Sequence, residues 1–220
     1  MRNLTFKSAI YILVGLSAII LFILAYFYKL DLSQIFDFLG LIPKVVSIDL
    51  LFIAIFVKWG WKLTFFRGWL VPFPNLNGTW VGYIHSDWKN PSTGEKVPPI
   101  AVMLTIKQSF LNINCMMRTS EMESSSYSEG FLIDSERQIK NLSYSYSSKP
   151  RLSLTKRSIP HDGTVVLKII EIPSKKLVGR YWTERSTKGE ISLKYHSKNL
   201  LEELPEDLIE HPVTENENRH

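Results

Sequence analysis

A chain of 220 residues that is 45% hydrophobic, 21% charged and 12% aromatic has room for one ordinary domain plus an appendage. That composition excludes a largely disordered, collagen-like or low-complexity chain. A single cysteine, Cys115, excludes a disulfide scaffold and a cysteine-built zinc site. The net charge of +5 is unevenly spread: residues 1–70 hold seven Lys/Arg against three Asp/Glu, residues 71–200 eighteen against eleven, and residues 201–220 one against seven. The chain reads as three pieces carrying +4, +7 and −6.

Residues 1–70 predict a two-helix transmembrane region. The run from Ser8 to Tyr28 carries no charge and is bracketed by Lys7 and Lys29. At about 1.5 Å per residue a helix over 8–28 crosses the roughly 30 Å hydrocarbon core. The run is too long for a signal peptide, ends in Tyr26, Phe27 and Tyr28, and lacks a small-x-small cleavage site, so it predicts an uncleaved anchor. A second span is expected over about 45–66, with Asp49 near its start and Lys58 and Lys62 near its end. A charge at the bilayer centre costs about 3 kcal/mol or more. The lysines are therefore expected to snorkel to the headgroups, beside an interfacial belt of Trp59, Trp61 and Trp69. Arg2 and Lys7 precede the first span and Lys58, Lys62 and Arg67 close the second, while Asp31 and Asp37 dilute Lys29 and Lys44 in the connecting loop. The positive-inside rule then places both termini and the large domain in the cytoplasm, and a free Cys115 agrees with a reducing compartment.

After Pro72 and Pro74 the pattern becomes short apolar alternation, as in Val102, Leu104, Ile106 and in Val165, Leu167, Ile169. Eight strands are expected, at 78–86, 100–108, 111–119, 124–134, 138–147, 163–172, 176–184 and 189–196. Turn chemistry separates them at Asn90-Pro91, Thr93-Gly94, Asp134-Ser135, Lys149-Pro150, His161-Asp162-Gly163, Pro173-Ser174 and Lys188-Gly189. The fold predicted for residues 71–200 is an all-β, eight-stranded, antiparallel up-and-down (lipocalin-like) barrel, whose closure removes exposed edges. An open sandwich is the alternative. Residues 201–220, with Glu202, Glu203, Glu206, Asp207, Glu210, Glu215 and Glu217, form an acidic C-terminal tail.

The sequence offers no Gly-rich phosphate loop, no nucleophile elbow and no zinc-spaced histidine pair. No catalytic or metal-binding residue is assigned, His161 reads as a turn residue and Cys115 as core, so the domain is expected to bind rather than catalyse. Trp80, sharing a face with Gly82 and Ile84, is expected to plug the barrel bottom. Tyr144 and Tyr146 alternate with serines, and Tyr181 and Thr183 share one strand face while Arg180 and Trp182 share the other. Rings that stack on bases and guanidiniums that pair with phosphates suit a nucleotide. The candidate ligand-binding set is Arg118, Tyr144, Tyr146, Arg180, Tyr181, Arg185 and Thr187. The +7 of this domain favours an anion, whether a ligand or the headgroups of a neighbouring anionic membrane.

Two membrane helices, a Pro-bearing linker, and Leu76-x-Gly78-x-Trp80-x-Gly82 open an eight-strand basic domain that also contains Tyr144-x-Tyr146 and Gly179-Arg180-Tyr181…Arg185…Gly189. This order resembles the two-transmembrane, β-strand-rich effectors of cyclic-oligonucleotide-based anti-phage signalling (CBASS), which accompany a nucleotidyltransferase of the CD-NTase class. The resemblance implies a barrel that binds a cyclic dinucleotide, no cofactor beyond that activating ligand, and no DNA or RNA polymer as partner. It further implies homo-oligomerisation on activation, disruption of the bacterial inner membrane and abortive infection. Asp49 and Lys58 would then face each other or water in the oligomer. A stiff linker over residues 67–75 would couple barrel association to helix packing. The rival readings are a membrane-tethered lipocalin-like carrier of an apolar ligand and a structural membrane-assembly factor.

Overall fold

The computed structural model describes residues 6–31, 33–90, 94–134, 136–150, 159–205 and 208. Most of the acidic tail, including Glu206, Asp207, Glu210, Glu215 and Glu217, lies outside the described residues. The chain divides into two compact units at Pro74/Asn75, close to the expected 70/71, with Ser109–Leu111 grouped with the first.

The first unit is built on two helices, α1 (Phe6–Tyr28) and α2 (Ile35–Lys58). Both hold stretches long and apolar enough to cross a membrane, of 20 and 24 residues. α2 departs from the expected 45–66 at both ends. It starts ten residues earlier, because Asp37, Pro43 and Lys44, expected in or beside the connecting loop, are carried inside the helix. It stops at Lys58, where two single 3₁₀ turns, Gly60–Lys62 and Thr64–Phe66, take over. These turns are packed, with Trp61 and Val71 buried and the rings of Trp61 and Phe73 at 5.9 Å, so residues 67–75 do not form a bare tether. The shift puts Asp49 well inside α2, where an unpartnered carboxylate would be costly. It is 8% exposed and accepts a hydrogen bond from the Ser17 hydroxyl of α1 at 2.7 Å, within a single chain. Lys58 is exposed at the helix end, its Nζ 4.4 Å from the Trp59 ring centre.

The second unit is a closed antiparallel barrel of eight strands among the described residues: β1 (Gly78–Ser86), β2 (Ile100–Gln108), β3 (Ile113–Arg118), β4 (Met122–Asp134), β5 (Ile139–Pro150), β6 (His161–Ile170), β7 (Lys176–Thr183) and β8 (Lys188–Ser197). Neighbours in sequence pair throughout, and β1 pairs with β8 from Thr79 opposite Ser197 to Ser86 opposite Gly189. The up-and-down barrel is therefore correct and the sandwich is not. Six of the strands extend or end within two or three residues of expectation, and β1 and β2 match it.

One correction is informative. His161-Asp162-Gly163 and Lys188-Gly189 begin strands β6 and β8, and Lys149-Pro150 ends β5 paired with β4, instead of forming turns. A Cβ on Gly163 would lie 2.5 Å from the Tyr146 hydroxyl, and one on Gly189 would lie 2.2 Å from the His85 carbonyl and 2.7 Å from the Tyr181 ring. Both glycines are there to make room for tyrosines.

Inward residues of every strand form one core, including Val102, Leu104, Leu142, Val165, Leu167, Leu177, Ile191 and Leu193. Trp80 seals one end as expected. It is 1% exposed, donates its indole N–H to the Leu76 carbonyl at 2.9 Å, and meets Tyr195 edge-on at 5.1 Å. Gln108 caps the same region by accepting the Leu76 N–H at 2.7 Å. Trp80→Ala is expected to cost about 3–5 kcal/mol in chemical unfolding. Trp182→Ala, on the outer face at 49% exposure, should stay within about 0.5 kcal/mol.

Candidate ligand-binding cavity

The end opposite Trp80 is open. There described residues at the ends of the strands and in the turns after β3 and β7 line a cavity of about 410 Å3, within the roughly 300–1,000 Å3 of small-molecule sites. Trp88, Tyr146 and Tyr181 supply its rings, and Met117, Val165 and Ile191 supply its apolar floor. Ser86, Thr119, Ser124, Ser148, Thr183 and Thr187 supply hydroxyls. Arg185, His161 and Glu121 are its ionisable side chains other than tyrosine among the described residues.

The β7–β8 hairpin places Arg185. Its tight turn is held by Ser186 N–H donating to the Thr183 carbonyl at 3.1 Å, with Ser186 at a φ of 61°. The Thr183 and Thr187 hydroxyls lie 2.7 Å apart and staple the hairpin base. The hairpin is tied to β6 by two bonds of 3.0 Å, Glu184 N–H to the Asp162 carbonyl and Asp162 N–H to the Glu184 carboxylate. The Arg185 guanidinium reaches the Ile159 carbonyl at 3.4 Å.

That carbonyl also lies 3.2 Å from His161 Nδ1, which fixes the imidazole proton on Nδ1 and leaves Nε2 as an acceptor. Tyr146 approaches His161 edge-on at 6.4 Å and Tyr144 at 6.2 Å. The Tyr181 hydroxyl donates to Ser86 at 2.9 Å, and the Ser124 hydroxyl to Ser148 at 2.9 Å. Hydroxyls and rings thus occupy positions that strand register sets.

Burial pushes the Tyr146 phenol upward, Tyr181 adds to the effect and Arg185 opposes it. Burial also raises Tyr181, against the stabilising bond to Ser86. Both rings stay neutral and can donate hydrogen bonds at physiological pH. Burial holds His161 below its ordinary value, and Arg185 lowers it further. The Ile159 carbonyl, Glu184 and Asp162 pull the other way. The ring is accordingly a neutral polar group in the unliganded barrel.

Four of the seven expected ligand residues meet in this cavity: Tyr146, Tyr181, Arg185 and Thr187. Three do not. Tyr144 lies deeper in the core, fully buried, with no hydrogen-bond partner on its hydroxyl among the described residues. Arg180 is exposed on the outer face of β7, as its alternation with Tyr181 requires. Arg118 is engaged by Glu123 at 2.9 Å and by the Thr105 hydroxyl at 3.4 Å. Sequence reasoning missed His161, Trp88 and the serine and threonine hydroxyls. The inward alternation of Tyr144, Tyr146 and Ser148 on β5 pointed to the last of these, whereas Trp88 lies beyond β1 on a connection that periodicity does not place.

A barrel sealed at one end and open at the other on a cavity of rings and hydroxyls defines a small-ligand receptor. Residues 71–195 match the family model described as Cap15, cyclic dinucleotide receptor domain, and the chain belongs to that family. It is also similar to the CD-NTase-associated protein 15 of Staphylococcus schleiferi, 32% identical over 93 residues, which are 42% of this chain. The chain spans about half the length of that curated relative, 48%.

The His161 shift has a defined effect on stability. The unfolded imidazole titrates near 6.5 and the folded one below it, so the unfolded chain takes up the proton first as pH falls. The stabilisation is complete above about pH 6.5 and is lost below it. Thermal unfolding of the ligand-free chain should show a lower Tm at pH 5.5 than at pH 7.5, and His161→Gln should reduce that difference.

Proposed function

We propose that the cavity binds a cyclic dinucleotide made by a CD-NTase-class nucleotidyltransferase, and that the chain is a membrane-anchored CBASS effector. The observation that carries this reading is the meeting of Tyr146, Tyr181, Arg185 and Thr187 around one cavity in a domain of the Cap15 receptor family. The rings would stack on bases, Arg185 would pair with a phosphate, and the hydroxyls would bond ribose and base edges. No cofactor other than this activating ligand is invoked. α1 and α2 would anchor the chain in the bacterial inner membrane with termini and barrel cytoplasmic, as the distribution of Lys and Arg favours. Ligand binding would promote self-association through the helices, disrupt the membrane and abort infection. Asp49 and Lys58 are the polar groups of α2 that an oligomer would use. In the single chain Asp49 Oδ2 is bonded to Ser17, while its buried Oδ1 has no partner among the described residues and would be the atom offered to a neighbouring copy.

Electrostatics inside the cavity point to recognition by hydrogen bonds and stacking rather than by bulk charge. Arg185 is the one lining side chain with a permanent positive charge among the described residues, and Glu121 carries the opposite sign. Calorimetry of the full chain in nanodiscs against a panel of purine and pyrimidine cyclic dinucleotides tests the proposal. At least one member should bind. Arg185→Ala should weaken it about tenfold to a hundredfold, the value of a hydrogen bond to a charged group. Arg180→Ala, outside the cavity, should leave affinity within about twofold. Binding of a fatty acid in place of every cyclic dinucleotide would reject the proposal in favour of an apolar carrier.

A further inference from the structure

The unneutralised lysines among the described residues of the barrel gather away from the cavity. At the cavity end Lys89, Lys96, Arg118, Lys149, Arg185 and Lys188 are balanced by Asp87, Glu95, Glu121, Glu123, Asp162 and Glu184 among the described residues. The opposite end carries Lys107, Lys168, Lys175, Lys176, Lys194 and Lys198, and none of these has a carboxylate within 4 Å among the described residues. The ion pairs of this end are Arg137 with Asp134 and Lys140 with Glu171.

Two features of this end are unfavourable for an isolated soluble barrel. First, Lys176 on β7 stands directly opposite Lys194 on β8. Like charges opposed across an antiparallel pair destabilise a sheet. Their outward row continues into Ile170 on β6 and Val81 on β1, which supply apolar flanks and no countercharge. Lys175 adds a third ammonium beside them, 4.9 Å from the Tyr195 ring centre, around a shallow cleft formed with Ser174. Second, the β6–β7 hairpin that leads into these lysines presents Ile172 at 85% exposure, followed by the exposed Pro173. An apolar hairpin tip beside unneutralised lysines matches an anionic bilayer surface, which accepts the side chain at the acyl boundary and the ammoniums at the phosphates.

We propose that the β6–β7 hairpin end of the barrel docks on anionic phospholipid headgroups, with Ile172 entering the interface and Lys175, Lys176 and Lys194 engaging the phosphates. The surface is distinct from the ligand cavity, at the other end of the barrel, and the inference does not depend on which ligand the cavity takes. Glu171, next to Ile172, is held by Lys140 at 3.2 Å, and Glu202 and Glu203, which follow Lys198, would oppose the contact. Each lysine near an anionic membrane contributes about 1 kcal/mol, so losing one should lower the docked-to-free ratio about fivefold.

The test uses the full chain in nanodiscs of phosphatidylcholine alone or with phosphatidylglycerol. A fluorophore is placed at Ile172→Cys, with the native Cys115 buried and unlabelled, and a quencher is carried on lipid headgroups. Quenching should be stronger with phosphatidylglycerol, should fall at high salt, and should decrease with Lys176→Gln and again with the Lys175→Gln/Lys176→Gln/Lys194→Gln variant. An unchanged melting temperature confirms that the variants fold, since removing the Lys176–Lys194 repulsion does not weaken the sheet. Equal quenching in the two lipids, or quenching indifferent to the three substitutions, would overturn the proposal.

Discussion

Closure of the sheet by β1 pairing with β8 is the constraint on which the rest depends. An open eight-stranded sheet would leave two rows of unpaired backbone groups and two faces of similar character. Closure defines an inside, which makes period-two alternation meaningful on all eight strands. It also leaves two ends with different fates. Trp80, Leu76 and Gln108 seal one, and the hairpins that carry Trp88, Thr119, His161 and Arg185 ring the other. The receptor cavity is what remains when a barrel of this size is filled from one end only.

Two glycines translate that geometry into a binding surface. Gly163 and Gly189 stand where any side chain would collide with Tyr146, Tyr181 or adjoining backbone. The rings therefore lie along the barrel wall at the cavity instead of being displaced into it. Burial keeps both phenols protonated, and the Ile159 carbonyl holds His161 and Arg185 to one point. The result is a rigid site of rings and hydroxyls with one permanent cation among its described lining. Among the described residues no lysine lines the cavity, so net charge was a poor guide to the site.

The membrane unit follows a different rule. Its helices expose apolar side chains over lengths that would suit lipid, and in such a solvent its polar groups need partners within the unit. Asp49 meets this need in part: Oδ2 accepts from Ser17, thirty-two positions away in sequence, and Oδ1 is buried with no partner among the described residues. Lys58 meets it by ending its helix beside Trp59.

The amino-acid sequence by itself determined the three-part organisation, the two apolar helices, nearly every strand, the Trp80 plug and the opposite facing of Tyr181 and Arg180. Each of these follows from local periodicity or from uncharged length, which no distant contact changes. The first helix was legible to within two residues. The second was not, because the charges of Asp37 and Lys44 read as loop although the helix carries both. Only the tertiary structure decided which aromatic and basic residues converge. Tyr144 and Tyr146 share a strand face, but depth along the barrel sends one to the core and the other to the cavity. Arg118 and Arg185 look equivalent in sequence, yet a cross-strand glutamate engages the first and a hairpin carries the second to the mouth. Depth and hairpin placement come from register and closure, which are sums over the whole barrel and have no local signature.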